Sequence, residues 1–127
     1  MAPAQDAGRG KTDPPPAAPA SARMALLAGF VQQRPDDPFP RYALAMEQKN
    51  AGQLEAAWET FRVLLDRHRD YVPAYLHAGN ALVALGRAAE ARSVYEEGVA
   101  ASVRGGDGHA RGELEGALAL LASGAAG

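Results

Sequence analysis

Three histidines, His68, His77 and His109, carry the side chains that titrate nearest neutral pH, so their spacing decides whether acid–base or metal chemistry is open to this chain. They fall on different expected elements and form neither an HExxH pair nor any other paired-ligand spacing. No cysteine is present, which removes disulfides, thiol catalysis and thiolate metal sites together. Glu96 and Glu97 are adjacent, point in different directions on a helix and read as a solvated edge. His68 reads as a helix-end cation, and His109 stands near a helix start. His77 lacks a catalytic or metal partner close to it in sequence. The expectation is therefore a non-catalytic chain with no metal and no cofactor. A metal-binding protein or enzyme using His77 with neighbouring carboxylates is kept as the contrasting reading.

The single tryptophan, Trp58, lies beside Ala57 and Phe61 on an apolar stripe, which assigns it to packing between helices rather than to a ligand. Aromatic residues make up 6% of the chain, so a core of Ala, Gly, Leu and Val must be built by close helix contact. A length of 127 residues with 47% hydrophobic content suits one small domain. The net charge of −2 gives no broad basic field, so nucleic acid is not an expected partner. The longest apolar run, Met24 to Val31, is too short to span a bilayer, and no charged n-region precedes it. No membrane partner is expected, and the expected location is cytoplasmic.

Residues 1–20 form a Pro/Ala-rich tail expected to be disordered and locally polyproline-like at Pro14 to Pro16. It reads as a docking peptide for an aromatic groove, as a solvated tail, or as an artefact if translation starts near Met24. Helix one is expected after Ser21 as N-cap and before Pro35, with Met24, Leu27, Phe30 and Val31 on one face. Asp37 and Pro38 start helix two as N-cap and first helical residue, and Gly52 closes it in the left-handed conformation. Helix three, about Leu54 to His68, turns Leu54, Ala57, Trp58, Phe61, Leu64 and Leu65 inward. Asp70 is expected to cap helix four, which ends before Gly86. Helix five runs from about Ala88 to Arg104 with Ala91, Val94, Tyr95 and Val99 inward. After Asp107, another capping residue, helix six presents Leu114, Ala117, Leu118 and Leu121. Residues 123–127 should fray.

These elements repeat. Gly52 and Gly86, Ala57 and Ala91, Phe61 and Tyr95, and Leu65 and Val99 are each 34 residues apart, and Leu27 and Val31 precede Phe61 and Leu65 by the same period. Ala45 and Gly79 form a further pair, and a glycine inside a helix implies that the paired helix approaches closely there. An antiparallel pair of helices exposes a stripe that only the next pair can cover, which predicts an array. The segment from about Pro38 to Val99 resembles two tetratricopeptide repeats. The small residues Ala45 and Gly79, the glycines Gly52 and Gly86, the alanines Ala57 and Ala91, and the aromatics Phe61 and Tyr95 all match that family's pattern. The implied fold is all-α, a right-handed α–α superhelix within residues 21–122. It would comprise a half repeat (21–35), repeat one (38–71), repeat two (72–104) and a capping helix (107–122).

The resemblance has departures. Arg41 and Gln48 stand where large apolar side chains are usual, and Leu64 where a small one is. The proline that usually closes a repeat remains at Pro35 but is replaced by Arg69 and Val103, so helix five is expected to run on and the orientation of helix six is left open.

The family's members are interaction scaffolds whose concave face comes from the first helix of each repeat. Carried over, that face implies a peptide-binding surface of Phe39, Tyr42, Ala43, Met46, Lys49 and Asn50 from repeat one. Repeat two would add Pro73, Leu76, His77, Asn80, Val83 and Ala84. Helical spacing independently groups Tyr42, Met46 and Lys49, and likewise Leu76, Asn80 and Val83. Asn80 matches one position of the family's carboxylate clamp, but Tyr42 and Leu76 occupy places where a clamp needs cations. The expected function is a protein–protein interaction module that takes an extended or helical peptide with apolar anchors, identity unknown. The alternative is a self-associating domain, a homodimer paired through the apolar stripe of an end helix.

Overall fold

The computed structural model describes residues 17–124, and among these residues every regular element is a helix. The order is α1 (Ala17–Gln33), α2 (Pro38–Asn50), α3 (Leu54–Arg67), α4 (Pro73–Ala84), α5 (Ala88–Gly105) and α6 (Gly108–Ala122). Successive helices pack on one another, so α2 with α3 and α4 with α5 form two hairpins, α1 flanks the first, and α6 flanks the second. The first helices of the hairpins also touch across the stack, α2 with α4 and α4 with α6. No helix in the described part is long and apolar enough to cross a membrane.

The hairpin turns are built the same way. Gly52 and Gly86 have φ of 80° and 78°, a conformation that costs other residues a Cβ clash with the backbone. The amide of Gln53 donates to Gln48 O at 2.9 Å, and that of Arg87 to Leu82 O at 2.9 Å, which closes each helix by the same six-residue link. Gly106 ends α5 in the same manner, Asp107 N–H donating to Ser102 O at 2.9 Å. At helix starts, Asp37 accepts from Phe39 N–H at 3.0 Å and Asp107 from Ala110 N–H at 3.0 Å, as the two capping residues should.

Two expected starts differ. Helix α1 begins at Ala17, so Ser21 lies inside it and is not its N-cap. The alanine-rich stretch has high helix propensity, and Pro19 falls in the first turn, where no amide donor is needed. The expected tail thus overlaps α1 at 17–20, while Pro14 to Pro16 and the last three residues, 125–127, lie outside the described residues. Asp70 does not cap α4 either. The N-cap position is Val72, with no side-chain cap, and Pro73 takes the first helical place. Helix α5 is 18 residues long against 14 for α3, and its extra turn brings Arg104 to Asp70 at 2.8 Å.

The core fills the space between hairpins with Phe61, Leu64, Leu82 and Leu114, all fully buried, and with the small residues Ala45, Ala57, Ala78 and Ala91. Trp58 is 8% exposed, which makes it a packing residue. On α5, Ala91, Val94 and Tyr95 are buried as expected, but Val99 is only half-buried, while its neighbour Gly98 is buried. A Cβ at Gly98 would meet Tyr75 Cβ at 2.6 Å and Leu114 Cδ1 at 3.0 Å, so α4, α5 and α6 converge there. That convergence fixes α6 against the stack.

The polar departures from the pattern are satisfied. Arg41 is buried and donates from Nη1 to Pro35 O at 3.1 Å. Burial, and secondarily the charge of Arg67, lower its pKa from the usual guanidinium value, with Asp36 acting in the opposite sense. Gln48 Oε1 accepts from Thr60 Oγ1 at 2.7 Å, joining α2 to α3 where an apolar contact would otherwise do so. Ser102 is buried and donates to Gly98 O at 2.8 Å.

Candidate functional site

Tyr42, Leu76 and Ala110 stand 34 residues apart, at one equivalent position of α2, α4 and α6, and all three line a single pocket of about 180 Å³. The wall is completed by Val72 and Pro73 from the start of α4, by His77, and by Glu113 and Leu114 of α6. The repeat period puts this pocket together: a fixed offset in sequence becomes a fixed offset in space, so like positions of successive first helices face the same hollow.

Aromatic rings form one side. The Tyr42 ring centroid lies 5.4 Å from that of Tyr71 and 6.3 Å from that of His77, both tilted. Burial raises the pKa of the Tyr42 hydroxyl, and burial with the nearby Tyr42 and Asp37 raises that of Tyr71. His77 has its pKa lowered, first by burial and then by the charge of Lys49, while Glu113 acts in the raising direction. Its Nδ1 is buried with no hydrogen-bond partner. Burial of an uncharged ring with an unpaired nitrogen favours the neutral imidazole in the pocket.

Of the expected surface residues, Tyr42, Leu76, His77 and Pro73 meet in this pocket, while Phe39, Met46, Lys49, Asn50, Asn80 and Val83 lie outside its lining. Phe39 is 62% exposed at the start of α2, and Met46 and Val83 are half-buried against the core. Asn50 is exposed at the end of α2. Asn80 is exposed, but its Oδ1 accepts from the Tyr95 hydroxyl at 2.6 Å, which leaves its amide group as the free donor. Glu113 lies outside the expected surface, because the sequence makes helix six a cap, and Leu114 is buried on the apolar face expected of that helix. Extending the period once more, from Asn80 to Leu114 and from Leu76 to Ala110, would have marked α6 as a third first helix.

The arrangement offers no hydrogen-bonded relay: among the described residues, none joins His77, Tyr42 and Glu113. Among the described residues, no group of three or more His, Asp or Glu is placed to hold a metal. A larger hollow, about 420 Å³, lies between α3 and α5 beside Trp58. Two of its carboxylates are already paired, Asp66 with Arg62 at 3.3 Å and Glu90 with Arg87 at 2.6 Å.

Comparison with solved structures places this geometry. The chain is 32% identical to a tetratricopeptide repeat domain protein from Salinibacter ruber, whose solution structure it matches with a TM-score of 0.65 over 68% of this chain and 88% of that one. The chain belongs to the tetratricopeptide repeat family. The crystal structure of the tetratricopeptide repeat domain protein from Salinibacter ruber gives a TM-score of 0.64 at 32% identity, covering 67% of this chain and 96% of the other. The solution structure of a protein from Bordetella parapertussis matches at 30% identity with a TM-score of 0.68, over 79% of this chain and 87% of that one. No protein-family model and no curated protein matches the sequence. Membership in the tetratricopeptide repeat family explains the shared glycine turns at Gly52 and Gly86. It is a fold typically used for protein interaction rather than for catalysis.

Proposed function

We propose that this chain is a non-catalytic protein-interaction module that seats a peptide segment of its partner over α2, α4 and α6, with one side chain anchored in the Tyr42–Leu76–Ala110 pocket. The observation that carries the reading is that equivalent positions of three successive helices, α2, α4 and α6, line one hollow. An anchor that enters such a hollow gains buried apolar contact, and neighbouring backbone meets donors such as the Asn80 amide. Affinity capture with the wild type beside the Tyr42→Ala, Leu76→Ala variant tests it. Partners held by the wild type and lost from the variant are expected; identical captures would remove this face from consideration.

Self-association is the second reading. Leu120 is 56% exposed on α6, and Gly112 and Gly116 on the same helix have nothing within 4 Å of an added Cβ. A monomer at all concentrations in sedimentation would retire that reading.

A further inference from the structure

The charged side chain in the lining of the concave pocket is a carboxylate, Glu113, set among apolar walls and the Tyr42 ring. We infer that the pocket selects a basic anchor: a lysine or arginine side chain of the partner peptide, its aliphatic stem along Pro73 and Leu76 and its cation between Glu113 and the Tyr42 ring. This rests on the reading above that a peptide occupies the inner curve.

Three features of the site point to this chemistry. Glu113 has an uncommitted carboxylate: its one ion-pair neighbour is His109, whose Nε2 is 3.7 Å away and which attracts it only when protonated. By contrast, Arg111 on the same helix is taken up by Glu115 at 3.0 Å and does not line the pocket. An aromatic face next to a carboxylate attracts a cation twice, through the ring quadrupole and through the charge. Long basic side chains also carry an apolar stem that suits walls of Val72, Pro73, Leu76 and Leu114. An acidic anchor would meet the Glu113 charge and the electron-rich ring together.

The two charges that act on His77 are opposite in sign, Lys49 of α2 and Glu113 of α6, so a cation in the hollow is repelled by the first and drawn to the second. Burial keeps His77 neutral at neutral pH, so the histidine adds no positive charge that would repel the anchor. In acid, protonated His77 would oppose a basic anchor by repulsion.

The probe is a random linear-peptide phage library selected on the immobilised full chain at low ionic strength, followed by titration of the selected synthetic peptides. Enrichment of Lys or Arg at one fixed position with apolar neighbours is expected. Glu113→Gln should weaken those peptides about tenfold, the scale of losing one charge-assisted contact, and Glu113→Lys should shift selection to Asp or Glu. Glu113 is exposed, so circular dichroism of both variants should match the wild type. A selection dominated by apolar or acidic anchors, or a basic preference that survives Glu113→Gln, would overturn the basic anchor and leave the peptide site standing. Selected peptides that bind the Tyr42→Ala, Leu76→Ala variant unchanged, or no selected peptide at all, would overturn both.

Discussion

Replacing Gly79 with alanine adds one methyl group in the middle of α4, and the structure says where it goes. The new Cβ would stand 2.5 Å from Tyr95 Cδ1 and 2.8 Å from Cζ, and nearer still to Cε1. Carbon atoms in ordinary contact are about 3.5–4.0 Å apart, so the ring must retreat by more than about 1 Å. It has little room to do so: Tyr95 is 2% exposed, and its hydroxyl is tied to Asn80 Oδ1 at 2.6 Å. Overpacking of this kind costs about 1–3 kcal/mol, and a broken hydrogen bond about 0.5–1.5 kcal/mol more. Alanine recovers up to about 1 kcal/mol of helix propensity. The net expectation is a loss of about 1–3 kcal/mol, read as a lower urea midpoint and a melting temperature reduced by about 4–8 °C per kcal/mol. Gly116→Ala is the internal control. It makes the same chemical change inside α6, where nothing lies within 4 Å, and should stabilise by up to about 1 kcal/mol. If both variants shift the midpoint in the same stabilising direction, close approach of α4 and α5 is not what holds glycine at position 79.

Gly98→Ala should also destabilise, by about 1–3 kcal/mol, because Tyr75 and Leu114 both press on that position, and denaturant titration would register it. Gly52→Ala and Gly86→Ala should cost similar amounts, on the order of 1–2 kcal/mol each, since both residues hold a positive φ; a large disparity between their melting temperatures would break the equivalence of the two turns. The folded-state pKa of His77 is depressed, so its share of stability is complete above about pH 6.5, the unfolded value, and is lost as pH falls through the folded one. Thermal melts of wild type and His77→Gln should therefore diverge in slope below that pH. Native Trp58 should emit blue-shifted fluorescence that moves red on unfolding, and an emission maximum typical of free indole in water would contradict its burial.

Much of the fold can be read from spacing because it is made of local events that recur. The pairs Gly52 and Gly86 and Ala57 and Ala91 each report one backbone requirement or one tight contact, and periodicity relates them without any knowledge of tertiary structure. What depends on side chains meeting from three elements was harder to read. Gly98 stands one period after Leu64, and a large residue facing a glycine across the repeat gives no simple signal until Tyr75 and Leu114 are seen to fill the gap. Asp70 illustrates a competition that sequence cannot rank: its carboxylate had a helix start and an arginine on α5 to choose between, and the length of α5 decided it. The pocket was half legible. Tyr42 and Leu76 follow from helical spacing and His77 from the family resemblance, whereas Glu113 required seeing that α6 continues the array.

None of the described side chains of α1 is fully buried, although Leu27, Phe30 and Val31 are half-covered by contact with α2. In a stack where each unit leans only on its neighbours, the helix with one neighbour and no enclosed side chain detaches most easily. Amide hydrogens of α1 should therefore exchange with solvent through partial openings well below the global unfolding energy, while those of α3 to α5 exchange only when the whole molecule opens. The protein would lose its edge before its middle, and a partner that clasped that edge would slow exchange there far more than anywhere else.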